Sequence, residues 1–384
     1  MNAWSRHTAE WLLGSIMTVL LCTACSSDYD EEVVTTPKLK IHVYIPGHPV
    51  ITRADIGPVN PIQTLEAEKY VWSLHIWVFR HDNGSLVGYL HPSPDKLMEQ
   101  GTYLMDVTDE FANERPSVDV YVLANAMEAN CGLTTALNES TTRTQLDDAL
   151  IDADHFGLTN HVTVVPNDGL PMSGVLKGQT VGGEAPVLTT GTVQVVRAVS
   201  KVRFIFSQAK TDDRTLKINS ISFNDGMIPT TEYLFLESAY TDRSSHVGTG
   251  GYVTGATPFT PGDGFTVPQS VNPGIYVYTG GQTGQQYENL INSGLTGTKP
   301  ELAEVGPYYL RESDKLITGK INYQIGDEAA KDKEFTMAAA GDFSRNHTWI
   351  VYGYFAGNAN LRIIAVSFTP WTTLPSAERT VYNW

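Results

Sequence analysis

Lys38 to Arg53 reads KLKIHVYIPGHPVITR, and its alternation decides how the rest of the chain is read. Leu39, Ile41, Val43 and Ile45 fall on one face, and Lys40, His42 and Tyr44 on the other. This is the period of two expected of a half-buried β-strand. Gly47 and Pro49 stop it. Arg53 then sits in a polar, turn-rich run (Thr52, Arg53, Ala54, Asp55, Gly57, Pro58), the kind of exposed loop at which proteases cut.

The same β signature recurs downstream. Tyr70–Phe79 (YVWSLHIWVF) places Trp72, Leu74, Ile76 and Val78 on one face, and Asp82-Asn83-Gly84 supplies a hairpin turn into a strand over Ser85–Leu90. Val118–Leu123 aligns Val118, Val120 and Val122. Between Ser140 and Phe156 the spacing of Leu146, Leu150 and Ile151 predicts a lone surface helix capped by Ser140 or Thr141. Thr192–Phe206 (TVQVVRAVSKVRFIF) predicts one long strand with Val196, Ala198, Ser200, Val202, Phe204 and Phe206 on one face. Arg197, Lys201 and Arg203 oppose them, either as a solvated face that protects a sheet edge or as an anion or partner patch. Thr215–Phe223, Ile275–Tyr278, Leu316–Ile325, Asn346–Phe355 and Leu361–Phe368 continue the pattern, with a Gly- and Thr-rich stretch between Thr241 and Gly284. Many short strands with turn signals and little helix imply an all-β chain of β-sandwiches.

The chain has 384 residues, 41% of them hydrophobic, which is enough for two domains with real cores. A formal net charge of -16 argues against nucleic acid as a partner, since phosphates would be repelled. Arg6 and the apolar run Trp11–Leu21 form an export signal too short to span a bilayer. It ends Leu21-Cys22-Thr23-Ala24-Cys25, which resembles the lipobox of bacterial lipoproteins. Cys25, preceded by small Ala24, is the residue that would carry palmitate-type acyl chains; an ordinary secretory signal cut near Ala24 is the alternative. Ser26–Glu32 (SSDYDEE) reads as an acidic tether that cannot fold alone. At about 0.8 kcal/mol per buried CH₂, two or three acyl chains would anchor the protein essentially permanently, so release would require a covalent cut. Arg53 lies downstream of both the lipid and the first strand. Beyond the signal only Cys131 remains, so no disulfide framework is available within the chain.

Catalytic signatures are missing: no H-E-x-x-H, G-x-S-x-G, P-loop or paired C-x-x-C occurs, and no enzyme or cofactor is expected. Asp152-Ala153-Asp154-His155 could be drawn as a metal corner but matches no calcium loop. Gly248-Thr249-Gly250-Gly251 lacks a P-loop lysine. Trp72, Trp77, Trp349, Tyr352 and Tyr354 could stack sugars, although aromatics at strand spacing usually pack in cores or pair on sheets.

Taken in order, the motifs resemble the fimbrillin family, the lipoprotein subunits of type V pili. They are the lipobox at Cys25, the first strand followed by Thr52-Arg53-Ala54-Asp55, Ile76–Phe79 before a turn, Val120–Ala126 (VYVLANA) and Leu170–Gly174 (LPMSG). They continue with Arg197–Val202 (RAVSKV), Ile221–Asn224 ahead of Tyr233-Leu234, Asn346-His347, and a chain ending in Trp384. The resemblance implies two β-sandwich domains of transthyretin-like topology. It also implies that an arginine-specific protease cuts after Arg53, before Ala54, and that subunits polymerise by strand exchange. Losing Leu39, Ile41, Val43 and Ile45 would uncover a groove worth roughly 6–12 kcal/mol of burial, which a neighbour's strand could refill. The expected organisation is a signal over 1–24, a tether over 25–37, a removable strand and cleavage loop over 38–53, sandwiches over 54–208 and 209–371, and a donor tail over 372–384. Thr380, Tyr382 and Trp384 would share the tail's donor face. The expected location is the outer membrane at the cell surface, then the fimbrium. A shaft or accessory role leads, followed by tip and then anchor, with an adhesion target that is not specified. A surface glycan-binding lipoprotein is the alternative from another class.

Overall fold

The computed structural model describes residues 36–44, 68, 70–93, 97, 101–126, 132–152, 155–157, 162–208, 214–236, 246–248, 250–260, 264–267, 303–355, 361–370 and 380–383. Two β-sandwiches follow one another along the chain. In the first, one sheet orders β4 (Thr102–Asp106), β1 (Lys38–Tyr44), β9 (Val187–Gln194) and β8 (Gly182–Glu184). Its partner sheet orders β10 (Val196–Arg197), β7 (Met172–Gln179), β5 (Val118–Ala124), β2 (Leu74–Arg80) and β3 (Leu86–Leu90). Their facing sides share a buried cluster that includes Leu39 and Ile41 from β1, Ile76 and Val78 from β2, Val120 from β5 and Leu188 from β9.

The second sandwich has one sheet of β15 (Ala303–Leu310), β11 (Ser200–Gln208), β18 (His347–Phe355), β19 (Leu361–Pro370) and β20 (Thr380–Asn383). It packs on a sheet of β14 (Phe265–Val267), β12 (Leu216–Phe223), β16 (Ile317–Ile325) and β17 (Lys331–Ala338). Val202, Phe204, Ile218, Ile321, Trp349 and Val351 belong to its core. The strands expected over Asn346–Phe355 and Leu361–Phe368 are present as β18 and β19, antiparallel to each other.

Both faces of β2 and β5 are buried, which is why these strands read as nearly continuous apolar runs. Opposite the sandwich core, Trp77, Phe79 and Tyr121 pack against Leu146, Ile151, Leu234 and Phe235. This second layer corrects the lone surface helix expected between Ser140 and Phe156. Helix α1 (Asp109–Glu114) was not foreseen, and α2 covers only Arg143–Asp147. The cap of α2 is Thr142, whose hydroxyl accepts from the Gln145 amide at 3.3 Å while the Gln145 side chain accepts from the Thr142 amide at 2.8 Å. Leu150 and Ile151 have instead joined β6 (Leu150–Asp152), which pairs with β13 (Thr231–Tyr233) from the second half of the chain. A strand partner some eighty positions away outweighs helical spacing.

The run Thr192–Phe206 is likewise not one strand. It is divided among β9, β10 and β11, with Ala198-Val199 crossing from one sandwich to the other. The crossing from one sandwich to the other therefore lies about ten residues before the expected boundary between 208 and 209. Arg197, Lys201 and Arg203 are buried, with 1%, 1% and 8% exposure, so neither a solvated face nor a surface patch describes them. They lie where the two sandwiches meet.

Candidate functional site

β1 is a central strand. It runs antiparallel to β4, with Leu39 opposite Met105 and Ile41 opposite Tyr103, and parallel to β9, with Leu39 opposite Leu188 and Val43 opposite Val193. A register shift between Lys40 and His42 lets it follow both neighbours. Leu39 and Ile41 are fully buried and Val43 is 6% exposed, in the cluster that also holds Val71, Leu74, Tyr103, Met105, Phe111 and Val193.

The outward face carries the polar half of the alternation. Lys38 Nζ meets Asp106 Oδ1 at 2.7 Å, His42 Nδ1 lies 3.1 Å from Thr102 Oγ1, and Tyr44 is 55% exposed. Both ends are tied by backbone bonds. Lys38 donates to the Pro186 carbonyl at 2.8 Å, Val43 donates to Gly101 at 2.7 Å, and Tyr44 accepts from the Val195 amide at 2.8 Å. Gly101 has φ of 57°, and a Cβ there would sit 2.8 Å from the Val43 carbonyl oxygen, so the close approach of this loop to β1 needs glycine.

Taking β1 away would leave β4 and β9 facing each other across one strand's width, with unpaired amides and carbonyls on both banks. The slot would open onto the core cluster that includes Leu74, Ile76 and Val78 of the partner sheet. Three buried side chains at about 1.5–3 kcal/mol each make roughly 5–9 kcal/mol, an upper bound because the unfolded chain already buries some of this surface. A domain's whole stability is only about 5–15 kcal/mol. A vacated slot must therefore be refilled, or the first sandwich sits at the edge of unfolding.

Of the other positions singled out in the sequence, Cys25, Ile45, Arg53, Ala54 and Trp384 lie outside the described residues. Thr380–Asn383 forms β20, the edge strand beside β19, with Val366 opposite Tyr382 and Phe368 opposite Thr380. Donation of the tail to a neighbour would first require it to leave its own sheet. Among the aromatics, Trp77, Trp349 and Tyr352 are fully buried, whereas Trp72 is 53% exposed with its ring centre 5.7 Å from that of Tyr70. Asp154 is outside the described residues, and among those described no three acidic, histidine or cysteine side chains converge as a metal site.

Sequence reasoning missed the polar junction that joins the sandwiches. Glu68, fully buried, takes Lys201 Nζ at 2.8 Å and the Tyr309 hydroxyl at 2.6 Å on its Oε1, and its carbonyl accepts from Arg197 Nε at 3.2 Å and Nη2 at 2.9 Å. Burial lowers the Arg197 guanidinium to about 10, with Glu68 and Tyr309 opposing the shift. A second buried group lies nearby in the chain's second half. Arg345 Nε pairs with Glu312 Oε1 at 2.7 Å, and its Nη1 and Nη2 donate to the Leu234 and Tyr233 carbonyls at 3.0 and 2.7 Å. Arg311 Nη1 donates to the Ile151 carbonyl at 3.0 Å, reaching across to β6. The one available signal was the set of bases in Arg197–Arg203, whose carboxylate partner lies 133 positions away from Lys201 and so leaves no local trace.

No protein-family model matches the chain, and no curated protein matches it by sequence. Among solved structures it is similar to a candidate cell adhesion protein from Parabacteroides distasonis, at 13% identity and a TM-score of 0.49, covering 91% of this chain and 97% of that one. It is similar to a fimbrial assembly protein from the same species, at 12% identity and a TM-score of 0.43, covering 91% and 100%. It is also similar to the tip fimbrial protein Mfa3 from Porphyromonas gingivalis with a C-terminal truncation, at 13% identity and a TM-score of 0.46, covering 91% and 99%. Those descriptions belong to those proteins.

Proposed function

We propose that this chain is a structural subunit of cell-surface fimbriae, exported as a lipoprotein on Cys25 and assembled by strand exchange after a cut between Arg53 and Ala54. The observation that carries the reading is the place of β1. It is the first strand among the described residues, yet it lies between β4 and β9 rather than at an edge, so a single cut downstream could empty the middle of a sheet. An incoming strand would recover the two rows of backbone bonds and the three apolar sockets of Leu39, Ile41 and Val43. Other subunits are the partners, an arginine-specific protease is the activator, and the membrane is a partner only before the cut. No catalytic step is assigned to the chain. Arg53 in a cleavable sequence disfavours an anchor; a shaft or accessory role leads, with tip next, and the tail, with one short alternating run, is a thin donor.

Treatment of the purified full chain with an arginine-specific protease, followed by intact mass and electron microscopy, tests the reading. A cut after Arg53 that yields fibres, or a monomer that captures a synthetic strand, supports it. An uncut Arg53, or a cut chain that does neither, overturns it. One observation favours a second reading, as a surface glycan-binding protein: the exposed Tyr70–Trp72 pair offers a stacking face. A saturable change in tryptophan fluorescence with sugars, lost in Trp72→Ala, would support that reading instead.

A further inference from the structure

The proposed removal of β1 poses a mechanical problem, because the chain that leads into β2 starts next to the vacated slot. Val71 and Leu74 share the core cluster with Val43, so this entry segment loses packing when β1 goes. We infer that Glu68 is a latch that fastens the entry segment of β2 to the second sandwich, so that the slot between β4 and β9 opens without β2 peeling away. The inference rests on the strand-removal reading for its role, and on geometry for its existence.

Glu68 lies downstream of Arg53 in sequence and therefore stays with the body after the cut. Its carboxylate is held by Lys201 on β11 and Tyr309 on β15, both strands of the second sandwich. Its carbonyl is held by Arg197, whose own Nη1 donates to Asn346 Oδ1 at 3.3 Å, while the Asn346 amide donates to the Val199 carbonyl at 2.8 Å. Asn125 continues the fastening toward β2. Its Oδ1 accepts from the Trp72 amide at 2.7 Å, and its Nδ2 donates to the Tyr70 and Leu170 carbonyls at 2.8 and 3.0 Å. None of these bonds involves β1. Charge-assisted bonds in a buried setting are the strong kind. A carboxylate with two such partners, both in the other sandwich, is therefore placed to hold this short segment after the apolar support of β1 is lost.

Hydrogen exchange on the full chain, intact and after arginine-specific proteolysis, tests the latch. The variants are Glu68→Gln, which keeps shape and removes charge, and Tyr309→Phe, which deletes one hydroxyl and covers the case in which the first does not fold. In the intact chain, Glu68→Gln is expected to speed exchange over Tyr70–Ser73 by about tenfold or more, the scale set by loss of a charge-assisted hydrogen bond, and Tyr309→Phe by less in the same direction. After cutting, wild type is expected to lose protection in β4 and β9 but keep it in β2, whereas the variants lose it in β2 as well. Unchanged exchange over Tyr70–Ser73 in both intact variants overturns the latch, as does a cut variant whose β2 stays as protected as in cut wild type. A cut that leaves β4 and β9 protected in every protein refutes strand removal instead, and the intact-chain comparison still decides whether Glu68 fastens the segment.

Discussion

Ile41→Ala separates a temporary strand from a permanent one. Ile41 is fully buried, opposite Tyr103 on β4, in the core cluster that also holds Leu74, Ile76 and Val78. Truncating a buried Ile leaves a cavity that a strand bonded on both sides cannot easily collapse, and the cost is about 2–5 kcal/mol. In the uncut chain that loss is a large share of the stability of one sandwich and shifts its melting by about 2–4 °C per kcal/mol. After the cut and release of residues up to Arg53 the same substitution should cost about nothing, because the altered side chain has left. Ile76→Ala on the partner sheet serves as the control and should weaken both forms. Urea unfolding of wild type and both variants, each cut and uncut, reads the difference as a shift in midpoint at unchanged slope. A full penalty that persists after the cut, or a loss below about 0.5 kcal/mol in the uncut chain, would show that β1 is not a removable part of the core.

Gly101→Ala should destabilise the uncut chain by about 1–3 kcal/mol, through both its left-handed backbone and the close Val43 carbonyl, and less after cutting, when only the backbone strain remains; thermal melts of both forms check this. Thr142→Ala removes the capping box of α2 and should cost about 1 kcal/mol in urea unfolding. Burial pushes the Glu232 carboxyl up to about 8, with Arg345 pulling it down and Glu312 pushing it further up. Its folded value lies above the ordinary 4.5, so its contribution is full below about 4.5 and is lost as pH rises through 8; Glu232→Gln should flatten stability over that window in urea midpoints taken from pH 5 to 9. His75 is lowered to about 4, first by burial and then by stacked His91, so its contribution is lost as pH falls from 6.5 toward 4, and His75→Asn should shrink that acid limb.

The all-β class and most strands were legible because side-chain period is a local property. Leu39, Ile41 and Val43 alternate in the chain and face inward in the sheet. Where a segment belongs to two packed layers, the alternation disappears, as in β2, and the buried face of Trp77 and Phe79 could not be told from a solvated one. Leu146, Leu150 and Ile151 kept helical spacing, but Thr231–Tyr233 supplied a strand partner that no window around residue 150 contains. Arg197 and Lys201 read as surface bases because the carboxylate that receives Lys201 comes from a distant segment. Glu68 itself, one acid in a polar stretch, carried no sign of burial.

The two banks beside β1 are not equivalent. One is antiparallel and the other parallel, and their hydrogen-bond spacings differ. A replacement strand that reproduces both patterns must thread in one sense only. If the slot is on one face of a copy and the donated segment on another, the contact between copies is heterologous, and it propagates as an open filament whenever the rotation from copy to copy does not close a ring. Under the proposed strand exchange, such an asymmetric socket would build a filament in which all subunits point the same way, with two chemically distinct ends: one with an empty slot and one with an undonated tail.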